Sequence, residues 1–116
     1  MTTQKEIVEQ KVVEHVQIYS LQGKIQYANS DEIKHKMLEN VNEKVMEYII
    51  DLRSVTVIDS TGMGILLTFL KAVEGKKMSI VIEDPFLLEL LLIAKLNQVF
   101  PIYNTVEEAM AGEEEE

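Results

Sequence analysis

The segment Asp59-Ser60-Thr61-Gly62-Met63-Gly64 is where residue types and spacing could carry chemistry. The apolar run Val55 to Ile58 ends there and a helical pattern begins, so a Ser-Thr pair is delivered to the first turn of a helix. Such a turn holds N–H groups without intrahelical partners and the positive end of the helix dipole. Gly62 and Gly64 would let another backbone or a partner approach closely. The residues by themselves also allow a plainer role, with Asp59 or Ser60 as an N-cap and the glycines as packing devices.

Other chemistry is poorly supplied. There is no Gly-x-Ser-x-Gly, no Gly-rich loop ending in Gly-Lys-Ser/Thr, and no His pair at metal-ligand spacing. His15 falls in a turn and His35 on a polar helix face, both expected to be isolated, solvated and without a paired acid. Ser60 therefore lacks a visible base, and a nucleophilic enzyme is disfavoured. With no cysteine, disulfides and thiolate metal sites are excluded. No catalytic residue, metal or cofactor is expected.

Charge narrows the partners. Eleven basic residues stand against twenty acidic ones, but six of the acids are Glu107, Glu108 and Glu113 to Glu116. The rest of the chain is nearly neutral, and residues 113–116 read as a disordered acidic tail after a single domain at 1–112. No Lys/Arg cluster exceeds Lys76-Lys77, so direct nucleic-acid binding is not expected. The most apolar run, Phe86 to Leu96, contains Glu89 and Lys95 and covers about half a bilayer. With no apolar leader at the N-terminus, a soluble cytoplasmic protein is expected.

The elements that must position Ser60 follow from periodicity. Ile7–Val13 and Val16–Leu21 read as strands joined by Glu14-His15, with Gly23 closing the second and Lys24–Asn29 a loop. Asn29 with Glu32 suggests a capping box for a helix burying Ile33, Met37, Leu38 and Val41. Val45–Leu52 is continuously apolar, as a central strand covered on both faces would be. After Arg53-Ser54 the chain resumes at Val55–Ile58 and enters a helix from Ser60 to Glu74, ended by Gly75. Met78–Ile82 is a strand, Asp84-Pro85 opens a helix to about Leu96, Phe100–Tyr103 is an edge strand, and Thr105–Met110 a last helix. Strands alternating with helices predict an α/β domain with a mixed sheet of four to five strands.

Two helices are unusually apolar. In the first, Met63, Leu66, Leu67, Leu70 and Val73 form the expected core stripe, and Ile65, Phe69 and Ala72 widen it to an arc of roughly 220°, against the usual stripe of somewhat over 100°. In the second, seven apolar residues between Phe86 and Ile93 surround Glu89. Either the two helices cover one another, or part of these surfaces faces a partner. Pattern does not choose.

The run Asp59-Ser60-Thr61-Gly62-Met63-Gly64 after an apolar strand resembles the phosphorylation-site signature of STAS domains, and the chain is most similar to the stand-alone bacterial anti-sigma factor antagonists among them. Leu21-Gln22-Gly23-Lys24-Ile25, Asp51-Leu52, Leu66-Leu67 and Val99-Phe100-Pro101-Ile102 fit the same family. The resemblance implies a single domain with about four helices mainly on one face of the sheet. It implies a non-catalytic switch: the unphosphorylated form binds an anti-sigma factor serine kinase of GHKL type and releases a sigma factor. Phosphorylation of Ser60 abolishes binding, and a PP2C-type phosphatase reverses it. Thr61 is the lesser acceptor. Where the family commonly carries an acidic residue, this chain has Gln26. The partner surface expected is Asp59, Thr61, Gly62, Met63, Ile65 and Phe69, with Gly23 and Gln26 nearby, on a monomer or weak dimer that is not membrane-bound. The alternative is a STAS interaction module of a stress-signalling scaffold or of a lipid or anion transport system.

Overall fold

The computed structural model describes residues 7–73 and 75–111. The chain forms β1 (Val8–Val13), β2 (Val16–Ile25), α1 (Ser30–Glu39), β3 (Glu47–Ile58), α2 (Ser60–Ala72), β4 (Lys77–Val81), α3 (Pro85–Ile93), β5 (Ile102–Tyr103) and α4 (Val106–Ala111). Short 3-10 turns occupy Tyr27–Asn29 and Leu96–Gln98. The strands make one mixed sheet in the order β1-β2-β3-β4-β5, with β1 antiparallel to β2 and every other pair parallel. This is the α/β class expected.

That order dictates where the helices lie. Each parallel connection steps one strand in the same direction, and crossovers of one hand then place every crossover helix on one face. Ile33 and Met37 of α1, Leu66 and Phe69 of α2, and Leu87 and Leu91 of α3 accordingly share a core with Tyr19, Tyr48, Ile50 and Ile80. α4 follows the last strand and closes the other face, where Ala109 meets Val16, Ile18, Ile49 and Val81. β3 is covered on both sides, which is why Tyr48, Ile49 and Ile50 lack alternation.

Several local expectations need correction. β2 does not close at Gly23. It continues to Ile25, with Gly23 at φ +82° and register slips against β3 on either side. A left-handed glycine in a bulged strand lets the pairing continue. β3 is not broken at Arg53-Ser54, because β2 accompanies it to Ile58. β4 pairs with it only as far as Asp51, so Leu52 to Ile58 overhang the sheet on that side. The exposed Arg53 and Ser54 resemble a turn in sequence for this reason. The Asn29 side chain does not cap α1. Its Oδ1 accepts from Gln26 N–H at 2.9 Å and its Nδ2 donates to the Lys24 carbonyl at 2.7 Å, while Glu32 pairs with Lys36.

Helix and strand ends also shift. α2 is capped by Val73, with Gly75 at φ +94° beyond it; the expected end at Glu74 lies outside the described residues, as does the acidic tail 113–116. α3 stops at Ile93, before Lys95 turns left-handed at φ 64°. β5 is reduced to two residues because Phe100 turns into the core.

The face of α2 differs from the expected stripe. Tyr19 and Tyr48 stack with ring centroids 6.2 Å apart, and Phe69 packs edge-on against both, at 5.1 and 5.5 Å. This pins Ile65 and Phe69 in the core, 5% and 1% exposed, and turns Leu67 outward to 39%. Ile65 and Phe69 are therefore not surface residues, and the wide apolar arc is largely spent on α1 and the sheet. α2 shares more surface with α1 than with α3. α3 keeps an exposed apolar face.

Candidate functional site

Asp59 sits where β3 ends and α2 begins, with extended backbone at φ −106° and ψ −174°. Both carboxylate oxygens are used. Oδ1 accepts from Gly62 N–H at 2.9 Å, and Oδ2 accepts from Tyr27 N–H at 3.1 Å. The Asp59 N–H donates to the Ile25 carbonyl at 3.2 Å, and its carbonyl accepts from Met63 N–H at 3.0 Å. One residue thus ties the end of β2, the turn after it, β3 and α2 together. Asp59, not Ser60, is the N-cap, and the exposed Ser60 hydroxyl is released from structural duty.

Ser60 opens α2. With the Gly62 and Met63 amides taken by Asp59, the Ser60 and Thr61 amides are the first-turn donors without a partner among the described residues. They leave the positive end of the helix dipole unsatisfied where Ser60 stands.

The two glycines do different work. A Cβ on Gly62 would lie 2.7 Å from the Ile25 carbonyl oxygen and 2.8 Å from Ile58 Cγ1. Gly62 therefore lets α2 start hard against β2 and is an internal packing device. A Cβ on Gly64 would meet nothing within 4 Å. It borders a shallow open groove between α1 and α2, lined also by Ser30, Lys34, Thr61 and Thr68. Thr61 and Met63 are half-buried beside Ser60.

Gln26, half-buried, precedes the turn held by Asp59. Gly23 lies further back on β2, opposite Val55. Tyr27 was not foreseen. It is 78% exposed, and its backbone is bonded to Asp59. The signal is invisible in sequence because the two residues are 32 positions apart.

The histidines are not assembled with Ser60. His15 lies in the β1–β2 turn, bonded through its carbonyl to Met46 just before β3 starts, so the twelve-residue length of β3 separates it from Ser60 by on the order of 40 Å. His35 is exposed and does have an acid beside it, Glu39 at 3.2 Å, contrary to expectation. Among the described residues no group of three His, Cys, Asp or Glu side chains is placed to hold a metal. The strand order never reverses, so the crevice that a reversal opens for a nucleotide is not built.

The STAS domain model matches residues 8–109. An anti-sigma F factor antagonist of Paenibacillus polymyxa is 28% identical over 92 residues, 77% of this chain and 79% of its own. The crystal structure of an anti-sigma factor antagonist from Mycobacterium paratuberculosis superposes with a TM-score of 0.84 at 20% identity, over 90% of this chain and 91% of that one. The Bacillus cell fate determinant SpoIIAA in its phosphorylated form gives 0.64 at 17%, over 89% and 96%. At such identities these structures establish a common fold. Together with the family match over most of its length, they show that the chain belongs to the STAS domain family.

Proposed function

We propose that this protein is an anti-sigma factor antagonist switched by phosphorylation of Ser60. The unmodified form binds a GHKL-type anti-sigma factor kinase in the cytoplasm and so releases a sigma factor. The kinase phosphorylates Ser60 and ends the complex, and a PP2C-type phosphatase restores it. The observation that carries this reading is the division of labour at the start of α2: Asp59 performs the capping while Ser60, next to it, is exposed and structurally idle. A modified Ser60 need not disturb the fold.

The docking surface comprises Ser60, Asp59, Thr61 and Met63, with Gly64 beside them and Gln26, Tyr27 and Gly23 on the β2 side. Ile65, Phe69 and Gly62 act beneath it by holding α2 in place. Phosphorylation adds about −1.5 to −2 charges. In the free protein the helix terminus favours that charge by about 0.3–1 kcal/mol. In the complex the same dianion is pressed beside Asp59 against a surface shaped for a neutral hydroxyl, where an uncompensated charge typically costs several kcal/mol. Fold and binding therefore separate.

Membrane attachment is not required by this reading, and no helix among the described residues is long and apolar enough to cross a bilayer. The test is to purify GHKL-type kinases encoded near this gene, incubate each with the protein and ATP, and map the phosphate by mass spectrometry. Phosphate on Ser60, absent from Ser60→Ala, is the expected result. Phosphate confined to another residue, or stable capture of transporter subunits in place of a kinase, would overturn the proposal.

A further inference from the structure

α3 presents an outward face that the fold leaves uncovered. Leu87 and Leu91 are buried at 2% and 0%, whereas Phe86 is 66%, Leu92 45% and Ile93 69% exposed. At 100° per residue, Phe86, Glu89, Leu92 and Ile93 fall together on the side opposite Leu87 and Leu91. Glu89 is exposed in the middle of this face, and its carboxylate makes no ion pair or hydrogen bond among the described residues. The other acids at the N-terminal end are engaged: Asp84 accepts from Phe86 N–H at 2.8 Å, and Glu83 lies 3.9 Å from Arg53.

We propose that this face is a second protein-docking surface, and that its partner is an amphipathic segment carrying one Lys or Arg among apolar side chains. Three occupants compete, and charge separates them. A second copy of the chain would pack α3 antiparallel to α3 about a two-fold axis, the symmetry of most self-complementary contacts. The midpoint of the Phe86–Ile93 stripe is Glu89, so the two Glu89 carboxylates would oppose each other in an apolar seam. Like charges brought together in such a setting are repelled. An anionic lipid surface would meet Glu83, Asp84 and Glu89, against Lys95 and an Arg53 that is already paired with Asp51 and Glu83. A basic-apolar protein segment satisfies both the stripe and Glu89.

The site is separate from Ser60. Beyond the Asp51–Val81 pairing the chain runs nine positions to Ser60 but four to Pro85, which at about 3.3 Å per residue places the start of α2 roughly 16 Å farther along the sheet than the start of α3. Binding here is therefore independent of the Ser60 switch.

The experiment uses the full chain in cells of its own organism, with the photo-crosslinker p-benzoylphenylalanine in place of Ile93. The crosslinked segment, identified by mass spectrometry, is expected to come from another protein and to hold Lys or Arg between apolar residues. Its yield should fall at least tenfold in Glu89→Lys and recover when that basic residue is changed to Glu. It should be unchanged in Ser60→Asp. The melting temperature of Glu89→Lys should stay within about 3 °C of the parent, as for an ordinary surface change. Crosslinks to a second copy or to lipid, yields indifferent to Glu89→Lys, or none above those from the same group at exposed Lys71 would overturn the proposal. A yield lost equally in Ser60→Asp would overturn its independence from the switch while leaving the Ser60 reading intact.

Discussion

Alanine at position 62 and alanine at position 64 should change stability in opposite directions, although both replace a glycine of α2. At Gly64 the backbone is helical and the new Cβ meets nothing within 4 Å. Only the intrinsic preference acts, and Ala exceeds Gly in a helix by about 0.8–1.0 kcal/mol. Unfolding entropy of about 2.1 cal/mol/K per residue converts 1 kcal/mol to roughly 4 °C for a chain of this size. Gly64→Ala should melt about 3–4 °C higher. At Gly62 the Cβ would sit 2.7 Å from the Ile25 carbonyl oxygen and 2.9 Å from Ile25 Cγ2. That oxygen belongs to β2 and accepts the Asp59 N–H, so it cannot retreat without breaking the contact that seats α2. Overpacking of this kind costs about 1–3 kcal/mol, and the helix preference, weaker in a first turn, returns less than about 1 kcal/mol. Gly62→Ala should melt lower than the parent, by up to about 8 °C. Differential scanning calorimetry of the two variants decides. A Gly62→Ala protein as stable as the parent, or a destabilised Gly64→Ala, would refute the assignment of internal packing to one glycine and open surface to the other.

Three further outcomes follow from the same geometry. Asp59→Ala removes the acceptor for Gly62 and Tyr27 and should cost about 1–2 kcal/mol, with faster amide hydrogen exchange at Tyr27 as the local mark. Phe69→Ala removes the ring packed edge-on against Tyr19 and Tyr48 and should cost about 3–5 kcal/mol in chemical denaturation, the response of a core residue and not of an interface residue. Burial, with the nearby Tyr48 adding to it, raises the Tyr19 phenol well above its ordinary value of 10.0. The unfolded chain therefore loses this proton first: stability is complete below about pH 10 and declines as pH rises past it. Denaturation midpoints at pH 9 and 11 should show that fall, and Tyr19→Phe should show less of it.

The legible parts of the fold were those where one local signal decides. Asp84-Pro85 opens α3 as read, because the Asp84 carboxylate accepts from the Phe86 and Leu87 amides. The Ser-Thr pair stands at the start of α2 because an apolar strand delivers it there. Illegible parts were those decided at a distance. The apolar arc of α2 is so wide that periodicity chose the wrong edge of it, placing Leu67 in the core stripe; the stacked Tyr19 and Tyr48 take Phe69 against their rings and turn Leu67 outward. Arg53 and Ser54 read as a break because β4 ends early and leaves them on an exposed edge. Of the candidate site, the spacing places Asp59 and Ser60 at the start of a helix and the family resemblance alone gives Ser60 its expected role, while Tyr27 could not be named, since only the folded chain brings it to Asp59.

The central claim is that a negative charge at Ser60 ends partner binding and leaves the fold intact. Its most direct test is the affinity of the parent, Ser60→Ala and Ser60→Asp for the anti-sigma factor kinase proposed as its partner, measured by isothermal titration calorimetry, with melting curves recorded in parallel. Each ~1.4 kcal/mol is tenfold in affinity, so the several kcal/mol expected for a charge in the complex predicts at least ~100-fold weaker binding by Ser60→Asp, undiminished binding by Ser60→Ala, and nearly unchanged melting temperatures for both. Parent-like affinity in Ser60→Asp would contradict the account, as would a loss of binding explained by an unfolded Ser60→Asp.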